Sequence, residues 1–279
     1  MNAKTKARII DILLILMIIV PFILGMALKA MTEPPHDGIT VTGSLIYFTI
    51  PMPVQDLPIT ESQVNSLIVT ISTLGLCLYF THGLKVVPDS KRQIIAEFVV
   101  EKAQNFVQSN MGERFAEGFA PFVAAIMALS ALSSLSSLVG LHPATSDINI
   151  VAGWAILVFI LITYYKLKGG LWSYIKGFGD PIPVFAPFNV ISEIATPISM
   201  AFRHYGNVLS GVVISTLIAS ALQGLTQTIL GWLPGVFGQY TLQVGLPAVL
   251  SLYFDLFSGC LQAFIFAMLT MLYIANGFP

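Results

Sequence analysis

Apolar runs of about 20 residues or more fill most of this chain, and they limit its fold more than any other feature. Composition agrees, since 56% of the 279 residues are hydrophobic and only 10% are charged, against roughly 25% charged residues in an ordinary soluble domain. The sequence therefore predicts an all-α polytopic membrane protein with five to six membrane segments, which forms a single membrane domain over residues 1–279. No length remains for a separate soluble catalytic domain, and the net charge of −1 argues against a nucleic-acid partner.

The first 62 residues precede the main group of segments. Three basic residues stand before the apolar run 9–28, so residues 1–30 are either an additional membrane helix or a signal segment. The run is longer than the roughly 7 to 15 residues usual in a signal peptide, which favours a retained membrane helix. Prolines and β-branched residues in the stretch 31–62 predict an ordered extracytoplasmic segment with a short hairpin.

Residues 63–279 carry the remaining segments, which we interpret as one functional core. An amphipathic stretch over residues 94–107 is predicted to lie on the membrane or across the spans. The last two apolar segments, 188–222 and 244–275, would each be roughly 45 to 50 Å long as helices, which exceeds the hydrocarbon thickness of roughly 30 Å. They are therefore predicted to form a long, steeply tilted helical hairpin.

Basic residues orient the chain by the positive-inside rule. If the N-terminus is cytoplasmic and each segment crosses once, every lysine and arginine among the 13 falls in a cytoplasmic piece, except Lys29 and Arg203. Both termini are therefore predicted to be cytoplasmic. Lys29 stands at the outer end of the first segment, where its side chain can snorkel to the surface. Arg203 has no such topological explanation.

Arg203 lies inside an apolar run, and its guanidinium cannot lose its charge by deprotonation. A mid-membrane arginine costs from about 2.5 kcal/mol on insertion scales to more than about 10 kcal/mol in simulations. On a helix, Ser199, Arg203 and Asn207 share one face, and Gly206 and Gly211 beside that face allow another backbone to approach. A charge placed at this cost indicates a functional site.

The last segment supplies an opposite charge. Asp255 and Gln262 are seven residues apart, which places them two helical turns apart on one face. Asp255 is expected toward the outer side and Gln262 nearer mid-depth, whereas Glu193 lies near the cytoplasmic end of the preceding segment. Opposite charges at different depths indicate a path for ions. A purely structural ion pair between Arg203 and Asp255 is less favoured, because such a pair is costly to desolvate.

Other polar residues of the apolar segments have plainer interpretations. Serines enrich the segment 119–141, where close helix packing by small residues is favoured over a polar conduit. We interpret His142 and His204 as satisfied or interfacial histidines, and for Gln262 an interhelical hydrogen bond is an equal alternative. The sequence indicates no cofactor and no metal site.

Two blocks of sequence resemble subunit a of the F-type ATP synthase, the membrane stator that faces a rotating ring of c subunits. Residues 197–211 are similar to the family pattern P-x-S-x-x-x-R-x-x-G-N-x-x-x-G, and residues 261–270 are similar to L-Q-A-F-x-F-x-x-L-T. Weaker similarity covers residues 87–106, 143–149 and 187–193, so that the resemblance spans residues 60–275. The resemblance implies a subunit that couples H+ or Na+ passage to ring rotation and ATP synthesis, with no catalytic site for ATP on this chain.

The resemblance also implies residue roles and partners. Arg203 would face the ion-carrying carboxylate of each passing c subunit and separate two half-channels. The implied partners are the c ring, subunit b of the peripheral stalk, the remainder of the FoF1 complex and the lipid of a bacterial-type cell membrane. The implied half-channel residues are Asp255 on the outer side, Asn207 and Gln262 in support of Arg203, and Ser199 and Glu193 toward the cytoplasm.

The sequence departs from the family pattern at three positions. The family often has an acidic residue or histidine where this chain has Val212, and asparagine is common where it has Ser137. A basic residue often precedes the proline of the arginine block, where this chain has Thr196. Because Val212 cannot carry a charge, the outer half-channel would depend on Asp255 alone. Two other functions were weighed, a structural anchor, which leaves Arg203 unexplained, and a secondary ion transporter with an intramembrane Arg/Asp site. Such a transporter should show internal repeats, and none is visible in the sequence.

Overall fold

Helices make up nearly all of the computed structural model, which describes residues 3–32, 43–53, 55–179, 182–233, 235, 241–243 and 245–276. Within these ranges, six segments are long and apolar enough to cross a membrane. This result confirms the predicted class of an all-α polytopic membrane protein.

Two antiparallel helices, α1 (Ala3–Thr32) and α2 (Glu61–Thr81), begin the structure. Ser72 donates a hydrogen bond of 3.0 Å from its Oγ to the carbonyl oxygen of Ile18. A Cβ added to Gly75 would lie 3.2 Å from the side chain of Ile18, so α1 and α2 approach as closely as a glycine permits. The apolar run 9–28 is thus part of a longer helix that packs against its neighbour.

A two-stranded antiparallel hairpin connects these helices. Strand β1 (Ile46–Ile50) pairs with β2 (Leu57–Thr60), with Ile50 opposite Leu57. Thr60 then caps α2, because its side chain accepts from the backbone of Gln63 while the Gln63 side chain accepts from Thr60. The structure confirms the predicted hairpin, although residues 33–42 of the predicted extracytoplasmic segment lie outside the described residues.

The middle of the chain forms three helices, α3 (Lys91–Met111), α4 (Glu113–Leu135) and α5 (Ile148–Lys168). Gly112, with a φ of 90°, allows the chain to reverse between α3 and α4. Helix α3 covers the predicted amphipathic stretch. Its second half packs on the core through Val107, whereas Phe98 and Val99 in its first half are exposed. A link over residues 136–147 joins α4 to α5 through two 3-10 turns, Ser136–Val139 and Ala144–Ser146.

A long hairpin completes the fold. After the short helix α6 (Leu171–Gly177), helix α7 (Ala186–Leu230) runs unbroken for 45 residues, which corresponds to about 67 Å. It must tilt or lie partly along the membrane to match a core of roughly 30 Å. The returning arm is divided into a 3-10 turn (Thr241–Gln243), α8 (Leu246–Ser251), a π-helix (Leu252–Ser258) and α9 (Gly259–Asn276).

The buried core lies where α3, α4, α5, α7 and α9 meet. Small residues allow α4 and α9 to approach each other closely. A Cβ on Gly259 of α9 would lie only 2.6 Å from Cβ of Ser134 on α4, which is too close for any residue but glycine. Ser130, Ser133 and Ser134 are buried along this side of α4, which supports the interpretation of its serines as packing residues. The core includes Val107, Phe119, Val123, Val158, Met200, Phe266 and Met271.

Candidate functional site

Arg203 stands on an open face of α7. Ser199, Arg203 and Ser210 are all exposed along it, while His204 beside them is fully buried. Arg203 forms no hydrogen bond or ion pair with any residue that the structure describes. A Cβ on Gly206 would likewise meet no described atom within 4 Å. The structural ion pair between Arg203 and Asp255 is therefore absent, and the charge points away from its own chain.

Contacts between α7 and the returning arm set the depth of the other site residues. Asn207 donates from Nδ2 to Ser258 Oγ at 2.8 Å, and the Ser258 hydroxyl lies 3.2 Å from Asn207 Oδ1. One turn further along α7, a Cβ on Gly211 would lie 3.1 Å from Cβ of Phe254. Because α7 and the returning arm are antiparallel, Arg203, one turn before Asn207, lies at the same depth as Gln262, one turn after Ser258. The structure thus brings together the two blocks of sequence that contain these residues.

Gln262 and Asp255 differ in their surroundings. Gln262 is only 4% exposed, inside the contact between α9 and its neighbours. Asp255 is half-buried and lies close to the hydroxyls of Ser137 and Ser251, while the Ser137 hydroxyl donates to the carbonyl oxygen of Ser134 at 2.7 Å. Residues 252–258 form a π-helix, whose hydrogen bonds span five residues. The uniform α-helical spacing assumed between Asp255 and Gln262 is therefore wrong over its first part, because the π-helix turns the chain differently.

Glu193 lies in a polar cavity at the opposite end of the site. Lys166 donates from Nζ to both carboxylate oxygens of Glu193, at 2.8 and 2.9 Å, and Tyr174 donates its hydroxyl at 3.2 Å. Burial, followed by the negative charge of Glu193, raises the pKa of Tyr174. The cavity has a volume of about 500 Å³ and is also lined by Ser192 and Thr196.

Several site residues were not evident from the sequence, and one predicted residue lies elsewhere. Lys166 and Tyr174 bind Glu193 but are distant from it in sequence. Ser137 and Ser251 lie close to Asp255 and belong to no predicted site motif. Of these four residues, only Ser137 was noticeable in the sequence, because it stands where the family commonly has asparagine. Ser199 does not line the cavity around Glu193, and it lies on the open face with Arg203. Among the described residues, no cluster of three or more His, Cys, Asp or Glu could hold a metal ion.

His204 belongs to the core behind Arg203. Its Nε2 lies 3.3 Å from Ser130 Oγ, and its ring meets Trp154 and Phe266 edge to face. The prediction of a satisfied or interfacial histidine holds only for Nε2, and the fully buried ring is not interfacial. Nδ1 has no hydrogen-bond partner within the described part of the chain.

His142 lies in the link between α4 and α5, outside the membrane segments. Its Nε2 is 2.7 Å from Ser146 Oγ, and its carbonyl oxygen accepts a 2.8 Å hydrogen bond from Asn65. Burial is the main cause that lowers the pKa of His142 from its ordinary value of 6.5, and Lys29 adds to this effect while Glu61 opposes it. The imidazole is therefore neutral in the folded protein at neutral pH.

This histidine predicts a pH dependence of stability. Because the folded-state pKa lies below the unfolded value of 6.5, the stabilising contribution is complete above 6.5 and is lost as pH falls from there toward the folded pKa. We expect the melting temperature of the purified complex to fall on acidification below pH 6.5, and to fall less in His142→Gln. The measurement is thermal unfolding in detergent across this range. Equal pH profiles for the two proteins would show that His142 does not contribute.

Comparison with known proteins places these residues in a family. The model of the ATP synthase A chain family matches residues 63–275. ATP synthase subunit a of Acidothermus cellulolyticus is 32% identical over 225 residues, which cover 77% of this chain and 75% of that protein. ATP synthase subunit a of Bacillus pumilus is 31% identical over 237 residues, or 79% of this chain and 93% of that protein. The corresponding Bacillus subtilis protein is 28% identical over 80% of this chain and 95% of its own length. The chain belongs to the ATP synthase A chain family.

Proposed function

We propose that the open face of α7 lies against a ring of c subunits and that two ion half-channels meet there, so that H+ or Na+ passage drives ring rotation and ATP synthesis. As a member of the ATP synthase A chain family, the chain is a stator subunit of the membrane sector and a part of the FoF1 complex. One observation carries the proposal. Arg203 is an exposed cation on a membrane helix without a counter-charge among the described residues, and such a charge needs a partner on another chain.

The fixed charge of Arg203 explains how the ring would be unloaded. A guanidinium beside a carboxylate favours the ionised form of the carboxylate, so a loaded c subunit that reaches Arg203 would release its ion. Arg203 cannot be neutralised by losing a proton, and it therefore also opposes direct passage of a cation between the two half-channels. An ion that enters from one side must travel with the ring before it leaves from the other.

Polar groups on both sides of Arg203 support two separate half-channels. Glu193 and its cavity lie ten residues before Arg203 on α7, about 15 Å away along the helix. Asp255 lies on the other side, beyond the contact between Asn207 and Ser258. We assign Glu193 to the cytoplasmic half-channel and Asp255, with Ser137, to the outer one. Asn207 and Gln262 lie at about the same depth in the membrane as Arg203, and we assign them the role of supporting it.

The charge distribution supports a cytoplasmic location for both termini. Lys166, which binds Glu193, belongs to a basic group with Lys168 and Lys176 at the same end of the fold. Basic residues beside membrane helices favour the cytoplasmic face. This orientation places the cavity of Glu193 inside and the link of His142 outside. Subunit b of the peripheral stalk is the second partner that we propose, on the strength of the family.

A secondary ion transporter is less well supported. Such a protein would gather its charged residues around one central substrate site. Here Arg203 and Asp255 are at different depths and form no pair.

Disulfide cross-linking tests the proposed ring surface. In a background without Cys77 and Cys260, Gly206→Cys is expected to cross-link to a single cysteine placed beside the ion-carrying carboxylate of the c subunit. The matched control is Leu157→Cys on α5, a position that is 48% exposed and should give no c-subunit product. An assembled complex in which Gly206→Cys cross-links no better than Leu157→Cys would exclude α7 as the ring surface.

A further inference from the structure

A second group of polar side chains, three of them buried, lies beneath the link between α4 and α5, away from Arg203. This group, which we name the link cluster, consists of Lys29, Glu61, Ser62, Asn65 and His142. Glu61, Ser62 and Asn65 are 3%, 0% and 1% exposed at the start of α2. A carboxylate and two polar side chains this deeply buried carry a large desolvation cost unless they are paired.

Helix α1 and the link provide only part of that pairing. Lys29, near the end of α1, donates from Nζ to the carbonyl oxygen of Gly140 at 2.7 Å and lies 3.7 Å from Glu61 Oε1. Asn65 donates to the carbonyl oxygen of His142 at 2.8 Å. Lys29 therefore does not extend freely to the surface, as its sequence position had suggested, because it is bound to the link.

Three oxygen atoms of the link cluster remain unsatisfied. Glu61 Oε1, Ser62 Oγ and Asn65 Oδ1 are buried and have no hydrogen-bond partner among the residues that the structure describes. Asn65 lies one helical turn after both Glu61 and Ser62, so the three side chains share one face of α2. Buried polar atoms without partners are rare and are usually satisfied by ordered water. The arrangement thus fits a small hydrated chamber.

Several hydroxyls lie between this chamber and Asp255. The Ser146 hydroxyl is 2.7 Å from His142 Nε2, and the Oγ1 of the adjacent Thr145 is 3.5 Å from Ser134 Oγ. Ser134 packs against Gly259, four residues after Asp255. Ser137, in the 3-10 turn after α4, donates to the carbonyl oxygen of Ser134 and lies close to Asp255.

We propose that the link cluster is the outer mouth of the half-channel that ends at Asp255, with Glu61 as its ion-collecting carboxylate. This inference rests on the proposed function. A proton from the outer water would be taken up at Glu61 and passed to Asp255 through water of the chamber and the hydroxyls beyond it. At each oxygen on the way one O–H bond forms as another breaks, so no charge remains behind when the proton arrives on Asp255. Lys29 holds α1 against the mouth and pairs with Glu61 between passages.

Hydration of the chamber is tested first, without reference to transport. In the background without Cys77 and Cys260, Ser62→Cys is expected to react with a membrane-impermeant thiol reagent added from the outer face. The matched control is Val69→Cys, on the same helix and also buried, which should react many times more slowly. Equal slow rates at both positions would show a dry cluster and overturn the proposal.

Transport is tested with Glu61→Gln. Passive ion conductance is measured in membranes stripped of the soluble ATPase sector, with proton and sodium gradients applied separately. We expect a loss of about tenfold, since an amide cannot take up and release a proton. Asp56→Asn removes an exposed carboxylate from the neighbouring hairpin and should leave conductance unchanged. Equal conductance of these two variants, at equal amounts of assembled subunit, would overturn the assignment.

Comparison of Asp255→Asn with Glu61→Gln separates the outer half-channel from its mouth. If Asp255→Asn lowers conductance and Glu61→Gln does not, the half-channel stands and its mouth lies elsewhere. If Asp255→Asn leaves conductance unchanged, the proposed outer half-channel is itself wrong, and the link cluster with it.

Discussion

Arg203→Ala is expected to abolish coupled ion transport and ATP synthesis, with residual rates below about 1% of wild type, by analogy with the loss of a single preorganised charge at a reaction site. The fold should survive, because Arg203 is exposed and contacts no described residue through a hydrogen bond or ion pair. The complex should therefore assemble while the ring carboxylate loses the cation that discharges it. ATP synthesis in energised vesicles, normalised to the amount of assembled subunit, measures the effect.

Two control variants separate charge from geometry. Lys168→Ala removes an exposed cation outside the proposed site and should support nearly normal synthesis. Arg203→Lys keeps the charge but loses the planar guanidinium and its paired donors, so we expect a rate between those of wild type and Arg203→Ala. If Lys168→Ala were as inactive as Arg203→Ala, general loss of basic charge would explain the result.

Asp255→Asn is expected to slow ion uptake from the outer face by about 100-fold, the lower range for loss of a proton-transferring group. Asparagine preserves the size and polarity of this half-buried side chain, so the local structure should change little. Passive conductance measured from the outer face reports the effect. ATP hydrolysis by the detached soluble sector serves as the assembly-independent reference.

Asp89→Asn is the matched control for Asp255. Asp89 is an exposed carboxylate that pairs with Lys85 and lies outside the membrane segments. Its replacement should leave conductance near the wild-type value. An Asp255→Asn protein with the same conductance as Asp89→Asn would remove Asp255 from the ion path.

The sequence predicts the segments well because burial in lipid demands long apolar runs and internally satisfied backbones. The six spans, the hairpin before α2 and the helix over the stretch of α3 all follow from hydropathy and proline placement. The shared face of Ser199, Arg203 and Asn207 follows from helical periodicity. These features depend on neighbours within a few residues, and local sequence contains that information.

Features that arise from distant contacts were missed. The π-helix around Asp255 changes only the hydrogen-bond spacing and leaves hydropathy unchanged. The ion pair of Glu193 with Lys166 joins α7 to α5. Glu61 looks like an ordinary acidic residue in the first turn of a helix, where it would be solvated. Only the approach of α1 and the link buries it, and no local pattern reports that approach.

The most direct test of the central claim is ATP-driven ion pumping by Arg203→Ala in inside-out vesicles. If the fixed charge of Arg203 separates two half-channels at a ring surface, ATP hydrolysis in an assembled mutant complex will produce no ion gradient. A gradient of normal size and rate, in vesicles shown to contain the assembled complex, would contradict the account.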